Sequence, residues 1–173
     1  MPELPFYEDD GQRSLAQLLS LRGAFREDSL VMAIRDRLQR QARGANYTKV
    51  EFAILAIEEL EDQVNSGGFS SFFDYSPECV APAIEALKAI GCPHAASIVE
   101  RAVQATGKEA TDVDGLHHSE VNTDFDALDA EFQQYPDPIV ERLLDYIAAN
   151  ATDVKVDIPA TKKSWLQRLF PSR

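Results

Sequence analysis

Basic residues and long apolar runs are scarce in this chain. Its 173 residues include 17 Lys or Arg against 29 Asp or Glu, a formal net charge of −12. A nucleic-acid ligand needs cationic surface that neutralises phosphates, so direct nucleic-acid binding is not expected. No apolar run approaches the roughly 18 residues of a membrane span, and the start MPELPFYEDDG lacks the features of a secretory signal. We therefore expect a cytoplasmic protein.

Cysteine is almost as scarce. Cys79 and Cys92 are the two cysteines in the chain, and both fall at the edge of a predicted helix. Free, buried thiols in a reducing compartment are the expected state, and a disulfide between them is the alternative.

Catalytic, cofactor and metal motifs are missing as well. His117 and His118 are adjacent residues of a predicted loop, which gives them no defined ligand geometry, and no HExxH pair exists. Gly67 and Gly68 belong neither to a GxGxxG nor to a GxxxxGK[ST] segment. The sequence therefore predicts neither an enzyme nor a cofactor or metal site.

Apolar residues recur at helical spacing through most of the sequence, and no convincing alternation typical of strands is present. The fold class is predicted to be all-α, a single domain of about seven helices built from packed helical hairpins. The clearest helix is Thr48 to Asn65, which should end at Gly67-Gly68. A short aromatic loop, residues 69–75, is expected to follow it.

The domain is expected to span residues 1–150, and residues 151–173 are expected to be a linker and a basic amphipathic tail. Arg35, Arg37, Arg40 and Arg43 belong to the second predicted helix. They do not fall on one helical face at 100° per residue, so pairing with acids within the protein or a dimer is their expected role.

Acidic residues are concentrated near the C-terminus. The segment from Glu109 to Asp157 has thirteen Asp or Glu and two bases, a net charge of −11. Such segregation governs which partners can approach, and it favours basic ones. Three acidic stripes on predicted helices form the expected partner-binding face: Glu51, Glu58 and Asp62; Asp124, Asp126, Asp129 and Glu131; and Asp137, Glu141 and Asp145.

Charge density limits what one stripe can do. Acids at i and i+4 give about one charge per 6 Å of helix axis, whereas duplex DNA has about one per 1.7 Å. Several stripes together, or a dimer that doubles them, would be needed to match DNA.

The C-terminal tail KKSWLQRLFPSR alternates bases with apolar residues, of which Trp165, Leu169 and Phe170 are the expected contacts. Three outcomes remain open for it. It docks on its own acidic body or within an oligomer, it touches an anionic membrane or a partner, or it has no fixed structure. It is too short for stable membrane anchoring alone, so any membrane contact is expected to be weak.

Four segments between about residues 47 and 149 carry a resemblance to a known family. They are NSGGFSSFF (65–73), APAIEALKAIG (81–91), LDAEF (128–132) with Tyr135, and Tyr146-Ile147. Together they resemble a bacterial family of dimeric DNA-mimic proteins, long filed as a domain of unknown function. Ser70-Ser71 and Asp74 depart from the family's pattern, and residues 1–45 and the basic tail lie outside the match.

The resemblance implies an all-α fold, a homodimer, and a protein partner that normally binds DNA, such as a transcription regulator. With the acidic face, it predicts a protein-binding module that occupies the basic site of a DNA-binding protein. An immunity or antitoxin-type protein that blocks a basic effector is the alternative. A membrane-peripheral or scaffold protein that uses the tail is a second alternative.

Overall fold

The computed structural model describes residues 3–41, 46–110 and 125–156. Within these ranges it contains seven α-helices and no strand, which confirms the all-α prediction. They are α1 (Leu15–Leu19), α2 (Glu27–Arg40), α3 (Lys49–Tyr75), α4 (Val80–Ala89), α5 (Pro93–Ala105), α6 (Asp126–Phe132) and α7 (Ile139–Ala149). Two short 3-10 helices, Pro77–Cys79 and Ala151–Asp153, flank α4 and α7.

Helix α3 is the centre of the fold, and it is longer than predicted. The predicted stop at Gly67-Gly68 is only a kink, because Gly68 has φ 74° and ψ −174° and the helix resumes at once. Residues 69–75, predicted to be a loop, are therefore helical. Only glycine tolerates this conformation, which explains the residue type at the kink.

The second segment of α3 carries the aromatic part of the core. Phe69 and Phe73 stack with ring centroids 5.9 Å apart, and Phe125 and Phe132 from the α6 region pack against them edge-on or tilted. These side chains are almost fully buried. The family-like GGF segment therefore sets a bend in α3 that presents aromatic rings to α6.

Helices α2, α4 and α6 pack directly against α3, and the other helices pack against these. Helix α4 lies against α3, α5 lies against α4, and α2 lies against both α3 and α7. One buried apolar cluster includes residues from Tyr7 to Val154. Segment 3–41, which the resemblance does not cover, thus shares the core of the family-like part, while the boundary predicted at residue 150 stays a prediction.

The chain after α7 is held against the start of α3. The Asp153 carbonyl accepts a hydrogen bond from the Thr48 hydroxyl at 2.7 Å, and the Lys155 N–H donates to Glu51 Oε1 at 2.7 Å. Val154 is buried between these contacts. The last described residue, Val156, therefore leaves the fold beside the first turn of α3.

Two smaller predictions are also confirmed. Cys79 and Cys92 are free and buried, and burial raises the pKa of their thiols to about 12 and about 11. Arg35, Arg37 and Arg40 pair with Asp62, Asp9 and Asp9 respectively. Arg43 lies outside the described residues.

Candidate functional site

The stripe predicted on α3 does not face a partner. Glu51 is fully buried and forms a capping box with Thr48, in which each side chain accepts the other residue's backbone N–H at about 3 Å. Glu58 is also buried. Only Asp62 is exposed, and it pairs with Arg35. The prediction was wrong for Glu51 and Glu58 because the acidic side of α3 packs against α2 and the chain after α7.

Burial raises the pKa of two acids of α3. Desolvation, reinforced by Glu61 and opposed by Arg35, raises the pKa of Glu58 to about 8. Desolvation, with the fields of Asp62 and Asp28, raises the pKa of Glu61 to about 7. Near neutral pH these two residues therefore contribute less negative charge than their count implies.

The stripe predicted on α6 is divided among different roles. Asp129 accepts a hydrogen bond from the Phe69 N–H at 2.8 Å, so it caps the helix segment that restarts after the Gly68 kink. Glu131 pairs with Arg101 of α5 at 2.6 Å. Asp126 is exposed. Asp124 lies outside the described residues.

The stripe predicted on α7 is divided in the same way. Asp137 is buried and accepts the Ala95 N–H at 2.9 Å, while its other oxygen lies 2.9 Å from His94 Nδ1. It thereby caps the first turn of α5 from another part of the chain, since Cys92 provides no side-chain cap. Burial raises the pKa of Asp137, but these hydrogen bonds outweigh burial and the net shift is downward. Glu141 is exposed, and Asp145, 55 % exposed, pairs with Arg22 at 2.7 Å.

The structure instead brings acids together where the start of α2 meets the start of α7. An open groove of about 510 Å³, here called the acidic groove, lies between them. Its lining has four carboxylates, an aromatic ring, an aliphatic floor and no Lys or Arg: Glu27, Asp28, Tyr135, Pro136, Asp137, Pro138, Ile139, Val140 and Glu141.

Arginines outside the lining compensate part of this charge. Arg22 pairs with Glu27 at 3.0 Å, and Arg26 pairs with Asp28. Both are surface pairs, which contribute little to stability and can be exchanged for a partner's bases. No ion pair involving Glu141 is found among the described residues, so Glu141 presents its full charge at the groove.

Tyr135 has the most unusual conformation at this site. It is 47 % exposed, and its φ of 51° is positive, as for no other non-glycine residue of the described ranges. Asn65 Nδ2 donates a hydrogen bond to its hydroxyl at 2.8 Å. A bulky residue in the left-handed region is strained, and such strain clusters at binding sites. Exposed tyrosine is also a residue type enriched in binding hot spots.

The sequence reasoning missed three acids at or near this surface. Glu27 and Asp28 open α2, about 80 residues before the segment with the highest acidic content, which begins at Glu109. Glu61 lies near the groove, where the field of Asp28 acts on it. No sequence signal could have found them, because their proximity to Glu141 arises only from the packing of α2 against α7.

The predicted tail contacts Trp165, Leu169 and Phe170 lie outside the described ranges, as do His117 and His118, for which no metal site was predicted. In the part of the chain that is described, no group of three or more His, Cys, Asp or Glu side chains is arranged to hold a metal ion. Nor does any described helix combine the length and apolar character of a membrane span.

Comparison with known proteins identifies the central part of the chain. The family described as DMP19-like protein matches residues 45–150, which include α3 to α7 and therefore the α7 side of the acidic groove. Neither the curated proteins nor the solved structures contain a match to the chain. The match covers more than half of the sequence and agrees with the observed all-α fold, and the chain belongs to the DMP19-like family of DNA-mimic proteins.

Proposed function

We propose that this protein binds a DNA-binding protein through the acidic groove and thereby excludes DNA from that partner's basic site. Family membership supports a protein-binding role of the DNA-mimic type. The observation that supports the location is the groove lining, in which Glu27, Asp28 and Glu141 present carboxylates to an open surface and no residue is basic. Complementary charge would steer the encounter, and the shape of the groove would fix the register.

Glu141 and Tyr135 are the residues we expect to matter most for binding. Glu141 is exposed at the groove, and its desolvation on binding is offset by a partner's guanidinium or ammonium group. Tyr135 adds an exposed ring beside the carboxylates. An arginine suits such a site because its planar cation stacks on an aromatic face while its N–H groups reach carboxylates.

The proposal is tested by competition with DNA. The tagged full-length chain is used to capture proteins from the source cell, and a captured DNA-binding protein is purified. Duplex DNA and the chain should then displace each other from it, and salt should weaken both complexes. A partner that binds DNA and the chain simultaneously, without mutual displacement, would contradict the mimicry.

Point variants then test the location of the site. Glu141→Lys should weaken partner binding at least about tenfold, since it places a base in an acidic contact. Glu85→Lys is the matched control, because Glu85 is an exposed acid of α4 outside the groove lining. Equal losses in the two variants would show that net charge, rather than the groove, governs binding. Reversing Asp137 is unsuitable, because its carboxylate caps α5.

We further propose that the binding form is a homodimer. The resemblance implied a dimer, and the charge available on one protomer is reduced by pairs such as Asp62–Arg35 and Asp145–Arg22. A second copy would double the acidic surface. Light scattering coupled to size exclusion should give twice the 19.2 kDa chain mass; a monomer at micromolar concentration would contradict this proposal.

An immunity-type protein that blocks a basic effector remains the alternative, since the same groove would serve it. The competition experiment separates the two proposals. A captured partner with nuclease or toxin activity and no displacement by regulator-type duplex DNA would favour the immunity role.

A further inference from the structure

We infer that the acidic groove has an intramolecular ligand, the basic tail at residues 161–173 of the same chain. The inference uses the groove described above as a binding surface and adds that the protein itself competes for it. Three observations carry it: the composition of the tail against that of the groove, the place where the described chain ends, and the poorer match of two other concave surfaces among the described residues.

The tail and the groove are complementary in both charge and apolar character. Residues 161–173 contain Lys162, Lys163, Arg168 and Arg173 and no acid, with Trp165, Leu166, Leu169 and Phe170 between the bases. The groove presents the carboxylates of Glu27, Asp28 and Glu141 beside Tyr135, two prolines, Ile139 and Val140. The Asp137 carboxylate also belongs to the lining but is turned inward, where it caps α5. A basic segment with interleaved apolar residues therefore meets acids at the rim and apolar surface at the floor.

The last described residue, Val156, also lies within reach of the groove. Lys155 is bonded to Glu51, so the tail begins near the C-terminal end of α7, whereas the groove lies at the N-terminal end of the same helix. Helix α7 has 11 residues and is about 16 Å long. The nine residue steps from Val156 to Trp165 can span up to about 30 Å, so Trp165 can return along α7 to the groove.

Two other concave surfaces of the described residues fit this segment less well. A notch between α3, α4 and α7 has a volume of about 80 Å³, and its lining includes Lys49. A wider depression between α4 and the end of α5 is lined by Lys108 as well as acids. Glu85 lines both surfaces, so one variant at Glu85 tests both of them.

A docked tail would act as a built-in competitor. Tethering gives the tail an effective concentration of the order of millimolar at the groove, so even a weak contact would be substantially populated. An external partner must then displace the tail. The partner's apparent affinity is its intrinsic affinity multiplied by the fraction of grooves that the tail leaves open. The tail would thus select for partners whose basic surface outcompetes four bases and an indole ring.

Trp165 is the only tryptophan, so its fluorescence reports on the tail in the intact protein. The full-length chain should show blue-shifted emission that is protected from a soluble quencher and unchanged on dilution. The double variant Lys162→Glu, Lys163→Glu should shift the emission to the red, and so should Glu141→Lys. Glu85→Lys should leave it unchanged.

Four outcomes would overturn the inference. Solvent-like emission in the unmodified chain would show an undocked tail, and a red shift in Glu85→Lys alone would place the tail on another surface. A red shift on dilution would make a second copy the occupant. Emission that turns blue only when phosphatidylserine vesicles are added would make a membrane the ligand. None of these readouts uses a DNA-binding partner, so they test the tail independently of the proposed function.

Discussion

Two sets of carboxylates in this protein have the same chemistry and opposite uses. In the first set, Glu51, Asp129 and Asp137 are turned inward and accept backbone N–H groups at helix starts. In the second set, at the acidic groove, Glu27, Asp28 and Glu141 line an open surface. The difference lies in what surrounds each group, since all of them belong to acidic, helix-rich segments.

The comparison shows that a count of acids overstates the charge available to a partner. An inward carboxylate accepts hydrogen bonds from N–H groups at a helix start that would otherwise lack partners. Its charge therefore stabilises the fold and is not available to a binding partner. A groove carboxylate retains its charge for binding. Variants of the first set should therefore change stability, and variants of the second set should change binding.

The largest expected effect comes from the ion pair that holds the buried Arg37 at the N-terminal segment. Asp9 Oδ2 accepts from Arg37 Nε at 2.8 Å, and Arg37 is buried while Asp9 is half-buried. Asp9→Ala should lower the free energy of unfolding by about 3–5 kcal/mol, because it leaves Arg37 buried without its partner. Chemical denaturation measures this, and Asp10→Ala, an exposed neighbour, is the control.

The same pair predicts a pH dependence. The hydrogen bond from Arg37 lowers the pKa of Asp9 to about 2, below the usual value of 3.8. Its stabilisation is therefore complete above about pH 4 and is lost as the pH falls toward 2. If the wild type and Asp9→Ala lost stability in parallel over this acid range, the assignment would be wrong.

The kink in α3 offers the next largest effect. Gly68→Ala should destabilise the fold by about 3 kcal/mol, because an alanine Cβ would lie 2.3 Å from Asp129 Oδ2 and the backbone conformation suits only glycine. Gly23→Ala also has a positive φ but meets no atom within 4 Å. It should therefore cost only about 1 kcal/mol. Equal losses would mean that backbone strain alone, without the Asp129 contact, sets the cost.

Glu58 predicts the opposite pH response to Asp9. Burial raises the pKa of Glu58 to about 8, so the folded state binds more protons than the unfolded state between about pH 4.5 and 8. Stability should fall as the pH rises through this window. Glu58→Gln should remove most of that slope and stabilise the fold by about 2 kcal/mol at pH 9. The raised pKa of Glu61 should leave a smaller decline of stability with pH, which ends near pH 7. The control Glu78→Gln, at an exposed acid, should show the same pH dependence of stability as the wild type.

The smallest effects give the sharpest contrast, since they concern two acids four residues apart. Asp137→Ala should cost about 2 kcal/mol, because α5 loses the cap on its first turn. Glu141→Ala should change stability by no more than about 0.5 kcal/mol. Thermal unfolding measures both variants. Similar losses of stability in the two variants would contradict the assignment of Asp137 to the inward set and Glu141 to the groove set.

Much of the fold could be predicted because local patterns agree with the packing. For example, helix α5 begins at a proline, is followed by a glycine and has helical apolar spacing, so its bounds at Pro93–Ala105 agree with the local pattern. The Gly67-Gly68 stop was wrong because glycine signals a break without saying whether the helix resumes. Buried aromatic contacts and the Asp129 cap make it resume.

The candidate site was predictable only in part. Glu141 belonged to the predicted face and lines the groove, whereas Glu51 and Glu58 of that face are buried. Glu27 and Asp28 were missed because nothing in their local sequence differs from an ordinary acidic helix start. Periodicity indicates which residues share a side of one helix, but it does not indicate what covers that side.

The sequence by itself determined the helical class, the family-like segments of the core and the excess of negative charge, because these depend on residue types and short-range spacing. Only the tertiary structure decided which carboxylates remain available. Burial of Glu58 against α2, the capping of α5 by Asp137 and the Arg22–Asp145 pair act between residues far apart in the chain. Carboxylates can therefore contribute to a binding surface only where the packing leaves them exposed, as between the starts of α2 and α7.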